Sequence, residues 1–302
     1  MGAADIVPGV SGGTVALVLG IYEDLLANIR QGARALGRLV KGDRSGFAAD
    51  LRKVDWTFLI PLLAGIGLAV IVLTSVIEHL LEEQPVRTAS VFFGLVVGSM
   101  VVAWRMVDHP IPTDFATMGG VAVVSFFLLG LRSGPVSDPA VPLFFAAGAI
   151  AICAMILPGI SGSFLLLMMG MYTGVLDAVH DRDLASLGVF LVGAVVGLAL
   201  FSSVLDRALH ANRNLVLAAL IGLMLGSLRV LWPWPDGVGS PDAGSRLDDG
   251  TIVEGASGTT LGFPEGDVLV PIVLGVGALA LVLVVSEIGR RRDARATAGP
   301  AA

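Results

Sequence analysis

The stretch P-G-V-S-G-G-T, residues 8–14, decides how the rest of the chain is interpreted. Five of its seven residues are Pro, Gly or Ser, which interrupt helices, yet it leads directly into the apolar run 15–19. A second copy, P-G-I-S-G-S at 158–163, is again followed by an apolar run. The two copies predict non-helical turns inside segments that otherwise have a membrane-like composition.

Composition restricts the class of protein. The chain has 302 residues and a mean hydropathy of +0.86, with 55% hydrophobic and only 15% charged residues. These values exclude a soluble globular protein and predict a multi-pass membrane protein. A single cysteine, Cys153, excludes an internal disulfide and a multi-cysteine metal site. We expect no metal, no cofactor and no nucleic-acid partner.

The apolar runs predict an all-α polytopic fold with about six transmembrane helices. Those runs are 56–77, 88–107, 116–131, 186–205, 214–232 and 268–288. Two further apolar stretches, 3–22 and 140–176, contain the turns. The second stretch is too long for one crossing and is broken at Pro158-Gly159. Each of these stretches therefore predicts a re-entrant helical hairpin.

The charges of the loops predict the orientation. Residues 30–55 hold seven basic side chains and three acidic ones, and the tail 290–302 is also basic. Loop 233–267 holds seven acids and one arginine. By the positive-inside rule, loop 30–55 and the C-terminus lie in the cytoplasm and loop 233–267 lies outside the cell membrane.

The chain repeats itself. With an offset of 150, ten of the 23 residues from 4 to 26 are identical in the second copy, including the proline, serine and tyrosine. The similarity continues at an offset of 128, where F-G-L-V-V-G-S at 93–99 matches I-G-L-M-L-G-S at 221–227. Three crossings separate the two motifs, so the halves would be inverted relative to each other, as in many secondary transporters.

This repeat predicts four parts. They are repeat 1 with its hairpin, basic loop and two transmembrane helices (1–115), a linking helix and loop (116–139), repeat 2 with its hairpin and three transmembrane helices (140–289), and the basic tail (290–302).

The turns have the chemistry of an anion site. Backbone that is not helical survives at membrane depth only inside protein or beside a water-filled cavity. The helix that follows each turn directs free N–H groups and a partial positive charge at that cavity, which suits a phosphate. The candidate substrate-binding residues are Pro8, Gly9, Ser11, Gly12, Gly13, Thr14, Pro158, Gly159, Ser161, Gly162 and Ser163. The alternative is that the glycines only allow close helix packing.

Arginine is the expected partner of a phosphate inside a membrane protein. Arg105 and Arg229 follow a Gly-Ser pair in equivalent helices at positions one helical turn apart, so both are candidates for the site. Their alternative role is snorkelling to the interface beside neighbouring tryptophans. Asp5 and Glu23 flank the first motif and are candidates for proton coupling, unless they are simply solvated.

The motifs A-D-I-V-P-G-V-S-G-G-T with G-I-Y-E, and M-I-L-P-G-I-S-G-S with G-M-Y, resemble the polyprenyl-phosphate transporter (PopT) family. That family was long known as a membrane domain of unknown function. The resemblance covers nearly the whole chain. It implies a flippase that returns undecaprenyl phosphate, a lipid carrier, to the cytoplasmic leaflet. The phosphate would bind between the two turns, and alternating access would move it. The expected partners are the polyprenyl phosphate and membrane lipids. A dolichyl-type carrier and assembly into a homo-oligomer remain open.

The first hairpin differs from the second in the length of its first leg. About 17 mostly apolar residues precede Pro158, whereas seven precede Pro8. Either the natural chain begins upstream of Met1, which we favour, or this member of the family is shortened.

Two other functions remain to be weighed. The sequence leaves open a secondary transporter of another small anion. The G-x-S-G pattern at 9–12 and 159–162 also matches intramembrane serine proteases, which need a histidine base close to the serine. The four histidines, His79, His109, His180 and His210, fall in predicted loops or at segment ends. No Arg/His constellation of a lipid phosphatase is present, and the chain is therefore predicted not to be an enzyme.

Overall fold

The computed structural model describes residues 1–5, 11–131, 136, 139–234, 261–264 and 266–297. Pro8, Gly9 and most of loop 233–267 lie outside these residues. The described residues form helices without strands. The helices are α1 (Gly2–Asp5), α2 (Gly12–Val18), α3 (Tyr22–Val40), α4 (Arg44–Leu51), α5 (Trp56–Glu83), α6 (Pro85–Trp104), α7 (Pro112–Leu128), α8 (Val141–Ile156), α9 (Gly162–Met168), α10 (Tyr172–His180), α11 (Leu184–Ala211), α12 (Arg213–Ser227) and α13 (Leu269–Thr297).

The all-α, multi-pass prediction is confirmed, with fewer full-length spans than the six expected. Four helices, α5, α6, α11 and α13, are long and apolar enough to cross a membrane. The predicted spans 116–131 and 214–232 correspond to α7 and α12, which have 17 and 15 residues. Such helices are about 25 and 22 Å long, less than the bilayer core of about 30 Å. Helices α9 and α10 form a pair bent by 108° that counts as a fifth span if taken together.

An aspartate fixes the start of α5 and of α11. The Asp55 carboxylate accepts hydrogen bonds from the amides of Thr57 and Phe58 at the start of α5. Asp183 caps α11 in the same way. Both helices have 28 residues. Aspartate at this position satisfies otherwise free amides and favours helix initiation by about 1 kcal/mol.

The apolar helices pack as three pairs, α8 with α11, α7 with α12 and α6 with α13. Glycines allow the backbones to approach. A Cβ on Gly94 of α6 would collide with the Gly275 backbone of α13, and one on Gly222 of α12 would collide with the Met118 carbonyl of α7. Van der Waals contact between such closely packed backbones replaces the hydrophobic driving force, which is weak between helices in lipid.

One end of the molecule carries most of the basic residues, and we call it the basic end. Helices α3 and α4 pack together there, beside the start of α5 and the end of α11. The Arg213 guanidinium at the start of α12 lies 2.9 Å from the Glu23 carboxylate of α3. Helices α5 and α12 therefore begin at the basic end, while α6 finishes there.

The main core lies between the first turn and helices α3, α6 and α12. Its fully buried members include Leu17, Leu26, Val96, Leu217 and Met224. These side chains come from both halves of the sequence. The core therefore holds the first motif against elements of the second half.

Candidate functional site

Ser11 begins the helix of the first turn. Its side chain is buried, and its Oγ accepts a hydrogen bond of 3.1 Å from the Gly13 amide as the N-cap of α2. The Gly12 amide donates a bond of 2.6 Å to the Asp5 carboxylate. The amide donors at the start of α2 are thus satisfied by side chains of the protein itself.

The first turn contacts the second directly. The Ser11 hydroxyl donates to the Met155 carbonyl at 2.9 Å, and the Gly159 amide donates to Thr14 Oγ1 at 2.9 Å. The Tyr22 hydroxyl donates to the Ile156 carbonyl at 3.1 Å. These are bonds between residues that lie more than 130 positions apart in the sequence. The structure therefore brings the two motifs together.

Gly13 is required by this contact. A Cβ at this position would stand 2.5 Å from the Ile156 carbonyl oxygen, so any larger residue would push the two turns apart. Gly159 has a different requirement, because its φ of +89° lies in the left-handed region that favours glycine. Its position is also closed by α12, where Met224 Cα and Ser227 Oγ would each be 2.9 Å from an added Cβ.

The second turn is organised differently from the first. Ser161 and Ser163 place their hydroxyl oxygens 2.7 Å apart, and the Ser161 side chain makes no capping bond to α9. One hydroxyl of the pair donates to the other, which leaves one O–H free to donate elsewhere. Among the described residues, no acceptor bonds the Gly162 or Ser163 amides. Ser161 is buried and Ser163 is half-buried, while Pro158 is fully buried behind them.

The two candidate arginines lie at opposite ends of α7. Arg229 follows α12, and its guanidinium stands 4.7 Å from the centre of the Phe126 ring near the end of α7. It also donates to the Phe126 carbonyl at 3.4 Å. Arg105 caps the end of α6 with an exposed side chain. The preceding Trp104 packs on Phe115 at the start of α7. The structure does not bring these two arginines together, and their part in binding stays a prediction.

The two candidate coupling acids lie in different surroundings. Asp5 belongs to the first turn, where its carboxylate holds the Gly12 amide. Glu23 lies in an exposed ion pair with Arg213 at the basic end. Pairs exposed to this degree contribute little to stability. Their part in proton coupling also stays a prediction.

A further buried acid was not singled out by the sequence. Asp206 lies near the end of α11, forms an ion pair with Arg30 of α3, and stands 3.7 Å from the His210 ring. The sequence feature that could have identified Asp206 was its position directly after the predicted apolar run 186–205. That run ends too early, since α11 continues to Ala211.

This arrangement offers a phosphate hydrogen-bond donors without a permanent counter-charge. The free hydroxyl proton of the Ser161–Ser163 pair and the two open amides at the start of α9 are donors of the kind that bind oxyanions. Among the described residues, no three His, Cys, Asp or Glu side chains cluster as a metal site would require. The chemistry that the turns can provide is reversible anion binding.

The chain is similar to known membrane proteins over most of its length. Residues 1–244 match a family model described as undecaprenyl phosphate translocase-like. A polyprenyl-phosphate transporter of Vibrio cholerae is 41% identical over 236 residues, covering 78% of this chain and 76% of that protein. A polyprenyl-phosphate transporter of Staphylococcus aureus is 32% identical over 253 residues, covering 77% of this chain and 83% of that protein. No solved structure matches the chain significantly.

Proposed function

The chain belongs to the undecaprenyl phosphate translocase-like family, and on this premise we propose that it carries a polyprenyl phosphate across the membrane, with the phosphate bound at the paired turns. Its relatives are named as transporters, as the sequence predicted, and not as proteases or phosphatases. The observation that carries the proposal is the direct contact between the turns through Thr14 and Gly159.

Within this contact, the second turn is the better phosphate site. In the first turn, Asp5 and Ser11 already bond the Gly12 and Gly13 amides. The residue that corresponds to Asp5 at the offset of 150 is Met155, which offers no carboxylate. The open donors of the second turn are therefore available to a substrate oxyanion. Ser11 and Thr14 would serve to hold the first turn against the second.

The helix register supports an inverted repeat that alternates access. Helices α5 and α11 are equal in length and begin 128 residues apart, while α2 and α9 are equal in length and begin 150 residues apart. The residues that end α2 and α9 are followed by Gly20 and Gly170, whose φ values of +73° and +67° are closely similar. Equal lengths, matching spacings and similar turns favour two copies of one structural unit.

The helix pairs support the same interpretation. Gly94 and Gly222 occupy equivalent positions at the offset of 128, and an added Cβ would collide with Gly275 of α13 in the first case and with Met118 of α7 in the second. In each half, the third transmembrane helix thus packs against the second transmembrane helix of the other half. Such reciprocal exchange is what a two-fold relation between the halves would produce.

In this proposal the basic end faces the cytoplasm, in accordance with the positive-inside rule. The two turns would then meet from opposite sides of the membrane. Arg229 would stand at the outer end of the path and Arg105 at the cytoplasmic end. Two cations at the two ends could receive the headgroup successively, which fits transport between leaflets better than simultaneous binding.

The test is leaflet-resolved transport of labelled polyprenyl phosphate by the protein in proteoliposomes. The double change of Ser161→Ala and Ser163→Ala should lower transport about tenfold or more, because each hydrogen bond to a charged group contributes about 1.5–3 kcal/mol. The matched control is Ser203→Ala in α11, whose hydroxyl donates to the Ala199 carbonyl of its own helix at 2.8 Å. Transport by this control should equal that of the wild type.

Three outcomes would decide against the proposal. Transport that survives replacement of Ser11, Ser161, Arg105 and Arg229 by alanine would refute the assignment of the site. Transport of a water-soluble phosphate in preference to the lipid would favour a carrier of another anion. Cleavage of a membrane-embedded peptide that is lost on Ser11→Ala would favour the protease.

A further inference from the structure

An apolar groove lies between α6 and α13, away from the turns. It has a volume of about 220 Å³ and is lined by Phe93 and Val97 of α6, by Ile272 and Leu279 of α13, and by Trp232 and Trp234. Its floor is the crossing of Gly94 and Gly275, where the two backbones touch. Ile272 and neighbouring α13 residues are exposed on the surface that would face lipid.

The segment that follows α12 forms a fixed roof over this groove. The Trp232 ring packs edge-on against Phe93 with centroids 5.9 Å apart, and against Trp234 with centroids 5.5 Å apart. The Trp232 indole N–H donates to the Gly262 carbonyl at 2.9 Å. Rings held in this way form a rigid apolar surface, which can bind a flexible chain without first being ordered.

Trp234 contributes a polar group to this apolar surface. Its side chain is 7% exposed, and its indole N–H has no hydrogen-bond partner among the described residues. A buried donor without an acceptor loses the hydrogen bond that it would make with water. A ligand that provides an acceptor here would recover part of that loss.

A cation stands beyond one end of the groove. Arg87 lies on the α6 face that also carries Ser90 and Gly94 of the groove, because positions separated by three and seven residues share a face. Its guanidinium pairs with Asp267 at 3.5 Å, and both side chains are about half exposed. Such a pair is weak and can exchange its carboxylate for another anion. A positive charge next to an apolar groove fits a phosphate attached to a long apolar chain.

We propose that this groove binds the isoprenoid chain of the polyprenyl phosphate as the lipid enters, with Arg87 beside the phosphate before the headgroup passes to the paired turns. The inference rests on the proposed function and adds the place where the lipid tail lies. The groove opens sideways towards the membrane at the end of α6 opposite to the basic end. A long-chain lipid can therefore enter laterally while its tail remains in the bilayer.

The unpartnered indole favours an isoprenoid over a saturated acyl chain. Each isoprene unit carries a double bond, whose π electrons accept a weak hydrogen bond from an N–H group. A saturated acyl chain has no acceptor for the Trp234 donor. The groove therefore favours the carrier lipid over phospholipids with saturated acyl chains.

Photo-crosslinking of the full-length protein with a diazirine-bearing polyprenyl phosphate tests the groove. We expect labelled peptides from 88–97 and 271–279, with competition by unlabelled polyprenyl phosphate and none by phospholipid of saturated chains. Val276→Trp, at an exposed groove position, should fill the groove. It should lower labelling about tenfold and raise the KM of transport while kcat stays unchanged. Val284→Trp, equally exposed on α13 but outside the groove lining, should leave labelling and KM unchanged.

A second variant keeps the ring and removes the donor. Trp234→Phe should weaken binding of polyprenyl phosphate about threefold and leave binding of its fully saturated analogue unchanged. Equal labelling by a phospholipid probe, or full labelling of the Val276→Trp protein, would overturn the proposal. Labelling of the groove in a protein that does not transport the lipid would support the groove and refute the proposed function. Transport without labelling would refute the groove alone.

Discussion

Replacing Thr14 by valine tests whether the two turns meet. Thr14 Oγ1 accepts the buried Gly159 amide at 2.9 Å, and valine keeps the shape of the side chain while removing the acceptor. Thr14 is 3% exposed, so water cannot replace the lost bond. A buried amide left without an acceptor costs about 1–3 kcal/mol. We therefore expect Thr14→Val to lower the free energy of unfolding by about 2 kcal/mol, measured by SDS titration of the purified protein.

Thr74 provides the matched control. Its hydroxyl is on the exposed surface of α5 and donates to the Val70 carbonyl of the same helix, which keeps its helical hydrogen bond without it. Thr74→Val should change the free energy of unfolding by less than about 0.5 kcal/mol. If Thr14→Val is as mild as this control, the bond between Thr14 and Gly159 does not form and the reasoning from it fails.

Three more changes test other parts of the molecule. Gly13→Ala should abolish transport at normal expression, because its Cβ would stand 2.5 Å from the Ile156 carbonyl and separate the turns; leaflet-resolved transport measures this. Asp206→Asn should lower the free energy of unfolding by about 2 kcal/mol, since it leaves the half-buried Arg30 without its buried carboxylate partner; SDS titration measures this. Acidification below about pH 3.8 should speed hydrogen exchange in α4. Hydrogen bonds and ion pairs lower the pKa of Asp50, and the stability that these interactions provide is lost as the Asp50 carboxylate is protonated.

Each of these three changes has a control variant. Gly188→Ala should leave transport unchanged, because an added Cβ there meets nothing within 4 Å. Arg87→Ala breaks an exposed pair and should change stability by less than about 0.5 kcal/mol. The Lys53 ammonium contributes most to the lowered pKa of Asp50, and Arg38 also stabilises the charged carboxylate. Asp50→Asn should therefore remove the acid-induced increase of hydrogen exchange in α4. Equal transport by the two glycine variants would contradict the first argument, and wild-type stability of Asp206→Asn would contradict the second. An acid-induced increase of hydrogen exchange that persists in Asp50→Asn would contradict the third.

The helices of this protein were largely predictable because apolar runs of membrane length leave few alternatives to a helix. The predicted run 186–205 and the helix Leu184–Ala211 start within two residues of each other. The ends were less predictable, since α11 continues through charged residues where Asp206 finds Arg30 of a distant segment. A segment predicted from hydropathy ends at the first charged residue, whereas the helix ends where its backbone no longer has packing contacts or hydrogen-bond partners.

The candidate site was predictable in its location but not in its bonding. The position of Ser11 before an apolar run indicated an N-cap, and the structure places it there. The Ser11 hydroxyl also donates to the Met155 carbonyl. This bond could not be predicted from the sequence, because every residue type has a backbone carbonyl. The pairing of Ser161 with Ser163 was likewise hidden, because the same residues could equally have capped α9.

The difference between the turns follows from two positions of the repeat, one of which has Gly13 in the first turn and Ser163 of the hydroxyl pair in the second. The first turn has an aspartate where the second has Met155, and the Asp5 carboxylate occupies an amide at the start of α2. A phosphate that approached this turn would have to displace a negative charge already bonded at 2.6 Å. At the second turn no such charge competes, and the open donors meet an incoming oxyanion directly. Under the proposed function, the first turn would support the site and the second turn would bind the phosphate.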